Sequence, residues 1–161
     1  MTLPRTYMFL YPGTWIADSA VWPTDQVVRF FATRPSALLL VDNADLRRIA
    51  TAQVDLWRQI AHLSVENHHR SIGLAQELMI RGGRRRLAAL LVRLSGLREE
   101  VVPHPLVIDA TQTEIAEAAN LARSVVSSFL KQMERDGILR LGWSNIEILA
   151  TDRLLRCAEE A

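Results

Sequence analysis

The chain has 161 residues, 49% of them apolar, with a formal charge of +1 at pH 7. That is enough apolar material for one compact domain or two small ones, and too little net charge for a uniformly basic, indiscriminate nucleic-acid binder. No run of about eighteen apolar residues occurs, so no membrane-spanning helix is expected.

Residues 1–41 carry short apolar runs at Thr6–Leu10, Val27–Ala32 and Ala37–Val41. Pro12-Gly13 and Trp22-Pro23-Thr24-Asp25 supply turns between them, so the region reads as strands of an antiparallel β structure. The N-terminus lacks a basic segment followed by an apolar core, so no secretory signal is expected.

Asp42-Asn43 can cap a helix, and no proline interrupts Ala44 to Arg98. Leu46, Ile49 and Ala50 form the apolar side of a first helix, and a longer one is expected from about Asp55 to Met79. On it Val65, Ile72 and Met79 recur every seven residues, interleaved with Ala61, His68 and Ala75. That spacing makes a seam for a partner helix; burial within one subunit is the alternative. His62, Glu66, His69 and Arg70 sit one turn apart. They read as a polar flank of i,i+4 pairs rather than a metal site, and no metal is expected.

Arg81-Gly82-Gly83-Arg84-Arg85-Arg86 breaks the pattern, because paired glycines disfavour helix, and reads as a hinge. A helix with Leu87, Leu90, Leu91 and Leu94 inward is expected from Leu87 to Leu97. The arginine cluster is either a phosphate contact or a solvated helix start. Pro103-His104-Pro105 then leads into a short extended piece, Leu106-Val107-Ile108.

The next segment carries the most information. Thr111 and Glu114 have capping-box spacing, and Ile115, Ala116 and Ala119 give one face of a short helix. Asn120 tolerates the left-handed backbone of a sharp turn, and Leu121 is placed between the helices. A second helix starts near Ala122 or Arg123, with Val125, Val126, Phe129, Leu130 and Met133 inward. Its other side shows Arg123, Ser124, Ser127, Ser128 and Lys131, with no acid before Glu134. Such a face suits a phosphate-lined groove, since arginine can pair with guanine and serine with a base edge or phosphate; alone, it equally fits a solvated helix face. Asp136-Gly137 ends the helix. Ile138–Leu141 and Ile146–Leu149 then make a hairpin across Gly142-Trp143-Ser144-Asn145. Trp143 is a core cover or a surface contact, and cover is the expectation. Helix, turn, helix and hairpin together make a winged helix-turn-helix.

Thr111-x-x-Glu114-Ile115-Ala116, followed by Arg123-x-x-Val126, Leu130-Lys131-x-Met133-Glu134 and Gly137-Ile138-Leu139, resembles the C-terminal domain of the cyclic-AMP receptor protein/FNR superfamily of bacterial transcription regulators. The resemblance implies base reading by Arg123, Ser124 and Ser128, to which the face adds Ser127, and phosphate or positioning contacts from Thr111, Gln112, Thr113 and Lys131. Serines at 124 and 128 depart from the family's usual Glu and Arg, and Ala122 stands where it usually has a Ser or Thr cap. The resemblance further implies a homodimer joined along the long helix, double-stranded DNA as partner, and RNA polymerase as a further partner.

The implied fold is mainly α with small β elements: a partial β-roll, a long central helix and a C-terminal winged helix-turn-helix. The implied domains are 1–41, a remnant of a cyclic-nucleotide-binding-like β-barrel; 42–80, the helical dimerisation segment; and 81–161, the DNA-binding domain. Where that barrel holds cyclic nucleotide with a Gly-Glu pair and an Arg, this chain has Ala17-Asp18 and Gln26. An anion pocket without its arginine loses its strongest bond, so cyclic AMP is not expected as a ligand, and no cofactor is. The single Cys157 cannot alone ligate an iron–sulfur cluster or form an intrachain disulfide, and the reducing cytoplasm is the expected compartment. No nucleophile–base pair, phosphate-cradling glycine loop or paired carboxylates emerge, so no enzyme is expected. Two functions remain: a dimeric regulator reading a palindromic site, or an interaction protein that dimerises with a full-length regulator.

Overall fold

The computed structural model describes residues 14–16, 35–97 and 105–159. Most of the expected N-terminal β structure, including Ala17-Asp18 and Gln26, lies outside those residues. The strand expected at Ala37–Val41 is not formed: the segment is irregular, and Leu39 and Leu40 are 92% and 85% exposed. Extended backbone becomes a strand only by pairing, and no described residue forms a ladder with it.

The chain divides into two compact units, one within Leu10–Ile72 and one within Gly73–Ala161. The first contains α1 (Asn43–Ala52) and most of α2 (Val54–Met79). The Asp42 carboxylate accepts the Ala44 N–H at 2.7 Å, satisfying one of the orphan donors of the first turn of α1. Leu46 and Ala50 are buried, whereas Ile49, expected inward, is 38% exposed. Extended backbone at Gln53 separates the two helices. On α2, Ile60 and Leu74 are buried. Asn67 Nδ2 donates to the Trp15 carbonyl at 3.0 Å. His62 and Arg70 flank Glu66 at 3.3 and 3.9 Å, the i,i+4 pairing expected of a polar flank.

The second unit contains α3 (Gly83–Leu94), β1 (Val107–Ile108), α4 (Gln112–Ala118), α5 (Arg123–Arg135), β2 (Leu139–Leu141), β3 (Ile146–Ile148) and α6 (Thr151–Glu159). Helix α3 is its centre: every residue from Leu87 to Val92 is buried, as is Leu94. It packs chiefly against α6 and also against α5. The strands form an antiparallel sheet in the order β1-β3-β2, with Glu147 opposite both Val107 and Arg140. Period-two alternation sends Ile146 and Ile148 into the core and leaves Glu147 half-exposed beside Arg140, at 2.8 Å.

Two sequence expectations change here. Helix α3 starts at Gly83, not Leu87, so Arg84–Arg86 form its first turn and the break is confined to Ile80–Gly82. Gly83 has a packing reason: a Cβ there would lie 3.1 Å from Leu121 Cδ2 and 3.3 Å from Phe129 Cε2, so its bareness admits both side chains. Helix α6 was not anticipated. Its signal was present in Thr151-Asp152 at the start and Leu154, Leu155 and Ala158 at helical spacing.

Leu154 is fully buried on α6. Leu154→Ala is therefore expected to destabilise the protein by about 2–5 kcal/mol, seen as a lower urea midpoint at unchanged slope. A loss below about 0.5 kcal/mol would mean that α6 does not complete the core.

Candidate nucleic-acid interface

The site is built from the α4–turn–α5 segment. Thr111 Oγ1 accepts the Glu114 N–H at 3.3 Å, and Glu114 Oε2 accepts the Thr111 N–H at 2.7 Å and its hydroxyl at 2.8 Å. This reciprocal box fixes the start of α4, where Gln112 is half-buried and Thr113 exposed. Ile115, Ala116, Ala118 and Ala119 are buried, which seats the helix. Asn120 takes φ 50°, the left-handed backbone that turns the chain sharply. Leu121 packs against the core from within the turn.

Helix α5 follows from an extended Ala122 with no side-chain cap. Val126, Leu130 and Met133 are fully buried, and each such side chain stabilises the fold by about 1.5–3 kcal/mol. Phe129 is partly buried against the same core. Val125, expected inward, is 38% exposed because it lies on the shoulder of this stripe.

Burying one stripe turns the other outward. Arg123, Ser124, Ser128 and Lys131 are exposed and Ser127 is half-exposed. None of these five, nor Gln112 or Thr113, makes a side-chain hydrogen bond or ion pair among the described residues. Two cations and three hydroxyls thus stand on one helix face with their bonding capacity unspent.

The other candidate cations are engaged within the fold. Arg84 meets Asp136 at 3.5 Å, Arg85 Nε donates to the Ala158 carbonyl at 3.0 Å, and Arg86 donates to the Ala119 carbonyl at 3.4 Å. The cluster expected to be a phosphate contact or a solvated helix start instead ties α3 to the end of α5, to α6 and to the turn after α4. Arg140 is held by Glu147. Arg153, which sequence reading passed over, donates to the Asp136 carbonyl at 2.5 Å. Trp143, expected to cover the core, is 101% exposed at the tip of the β2–β3 hairpin. The tip is closed by its own backbone, Gly142 N–H to the Asn145 carbonyl at 2.9 Å, and leaves the indole no core to cover.

A capped helix, a left-handed turn, a helix with one free polar face and a three-stranded sheet define a winged helix-turn-helix. Residues 85–157 match the family model of the Crp-like helix-turn-helix domain. Among solved structures, FixK2 from Bradyrhizobium japonicum is similar at 19% identity, with TM-score 0.64 over 75% of this chain and 61% of that one. A CooA mutant from Carboxydothermus hydrogenoformans matches at 19% identity and TM-score 0.59, over 73% of this chain and 55% of its own. A CRP/FNR-family transcriptional regulator from Thermus thermophilus matches at 24% identity and TM-score 0.54, over 66% of this chain and 55% of its own. No curated protein sequence gives a match. The chain spans less than two thirds of the length of these solved relatives. The likeness to the Crp-like helix-turn-helix domain is carried by residues 85–157, the C-terminal part of the chain. No helix among the described residues is long and apolar enough to cross a membrane.

The bare start of α5 generates a test. Ala122 already has the extended backbone of a cap residue (φ −65°, ψ 139°). Ala122→Ser is expected to raise stability by about 0.5–2 kcal/mol, read as a higher urea midpoint. An unchanged midpoint would show that the first turn of α5 gains nothing from a side-chain acceptor.

Proposed function

We propose that the protein is a dimeric transcription regulator that reads a palindromic site in double-stranded DNA through α5. The observation that carries the reading is the unspent face of Arg123, Ser124, Ser127, Ser128 and Lys131, held outward in a Crp-like helix-turn-helix domain. Arginine at the first position of α5 suits a bidentate contact to guanine, and the serines suit base edges or phosphates. Thr111, Gln112, Thr113 and Lys131 serve the phosphate backbone and fix orientation. Contact with RNA polymerase belongs to the same reading, and no catalytic role is proposed.

The support for a dimer comes from α2. Val65, Ile72 and Met79 are 51%, 41% and 80% exposed, and Ala61, His68 and Ala75 between them are exposed as well. The heptad-spaced face therefore looks away from the residues that α2 buries, Ile60 and Leu74. That arrangement supports a seam with a second copy and disfavours the alternative of a helix buried in one subunit. Ile72→Glu is expected to shift the protein from dimer to monomer in sedimentation equilibrium; a dimer surviving this change would remove α2 as the interface.

Two recognition helices in a symmetric dimer read half-sites about 34 Å apart, one turn of duplex. Selection from a random duplex pool is expected to enrich an inverted repeat, and cyclic AMP is expected to leave the mobility shift unchanged, since Ala17-Asp18 and Gln26 replace the usual nucleotide contacts. Arg123→Ala should cost about 1–3 kcal/mol and relax one position in each half-site. A folded dimer that enriches no sequence would overturn the regulator in favour of a protein that only pairs with other regulators.

A further inference from the structure

A second group of cations stands apart from the exposed face of α5. Arg84 in the first turn of α3, Arg153 and Arg156 on α6, and Asp136 at the end of α5 line a recess of about 170 Å³, with Ile138 and Cys157 completing its wall. Arg153, Arg156 and Cys157 share one face of α6, at offsets of three and four residues, because Leu154 and Ala158 are buried on the other. Ile138 is buried, so part of the wall is apolar. The acids of α6, Asp152 and Glu159, do not line the recess.

The fold uses few of the donors gathered there. A guanidinium carries more N–H groups than a single acceptor can occupy. Arg153 gives one to the Asp136 carbonyl at 2.5 Å, and Arg84 reaches the Asp136 carboxylate at 3.5 Å. Gln132 Nε2 donates to the other carboxylate oxygen at 3.0 Å. Arg156 is exposed and makes no side-chain hydrogen bond or ion pair among the described residues. Capping the end of α5 therefore accounts for a donor each from Arg84 and Arg153 and for none from Arg156. Three guanidiniums against one carboxylate leave two positive charges in excess.

A phosphate monoester carries about −1.5 to −2 charge at neutral pH, which matches that excess, and guanidinium forks fit its oxygens. Size narrows the choice. Pockets for larger ligands run to about 300–1,000 Å³, so this recess takes a phosphate with a short carbon chain, not a nucleotide. Position separates it from a duplex held on α5. Asp136 closes the end of α5 opposite Arg123, about 20 Å along the axis, on the side of Val125 and Phe129 and away from Lys131. We propose that the recess binds the phosphate group of a small anion, with Arg156 as the principal contact and Arg84 and Arg153 on its flanks. This site does not depend on what α5 binds.

Cys157 is the single cysteine of the chain and stands in the wall, so its alkylation by iodoacetamide reads the recess directly. In the full chain, at matched ionic strength, inorganic phosphate and glycerol 3-phosphate are each expected to slow that alkylation saturably, and acetate is not. Arg156→Gln should raise the phosphate concentration required by about ten-fold, through loss of a charge-assisted hydrogen bond. It should leave the thermal midpoint without phosphate unchanged, because Arg156 bonds to nothing among the described residues. Arg58→Gln, which changes an exposed arginine of α2, should leave the protection as in wild type. Stronger protection by glycerol 3-phosphate would identify an ester as the ligand, and stronger protection by inorganic phosphate would identify free phosphate; either result upholds the site. Alkylation indifferent to both phosphates, equal protection by acetate, or protection undiminished in Arg156→Gln would overturn it. So would protection by DNA duplex but by neither small phosphate, which would make the recess a contact for the DNA backbone instead.

Discussion

The arrangement of the C-terminal unit depends on one stripe of side chains. Val126, Leu130 and Met133 are completely buried on α5. An α-helix that buries one face has no freedom in what it does with the other, since 3.6 residues per turn fix the angle between them. Arg123, Ser124, Ser128 and Lys131 are outward because that stripe is inward. Everything else in the unit secures the burial: Leu121 and Phe129 close over Gly83, and α3 supplies the apolar surface they meet.

Most of this unit was legible in the sequence because its signals are local. The capping box at Thr111 and Glu114, the left-handed Asn120 and the spacing of the α5 stripe each express a short-range rule, and each is found in the fold. The hairpin was legible for the same reason, through two β-prone runs around a polar, glycine-containing turn. What was not legible depends on distance. Gly83 read as a helix breaker because its neighbours in space, Leu121 and Phe129, are far away in sequence. The Arg84–Arg86 run read as a phosphate contact or a solvated helix start because its acceptors, Asp136, Ala158 and Ala119, are remote in sequence.

That second misreading bears on electrostatics. A guanidinium committed to a carboxylate or a carbonyl offers less to a phosphate. The charge left unengaged on α5 is Arg123 and Lys131.

The pair Arg93–Glu77 sets where this unit can be cut. Arg93 on α3 holds Glu77, in the last turn and a half of α2, at 2.8 Å, with both side chains largely shielded from water. The family match begins only at residue 85. A fragment trimmed to that match would take the Glu77 carboxylate away from a shielded guanidinium, which costs more than losing a surface pair. A piece cut to keep this pair therefore carries the end of the preceding helix with it, and begins upstream of the family match.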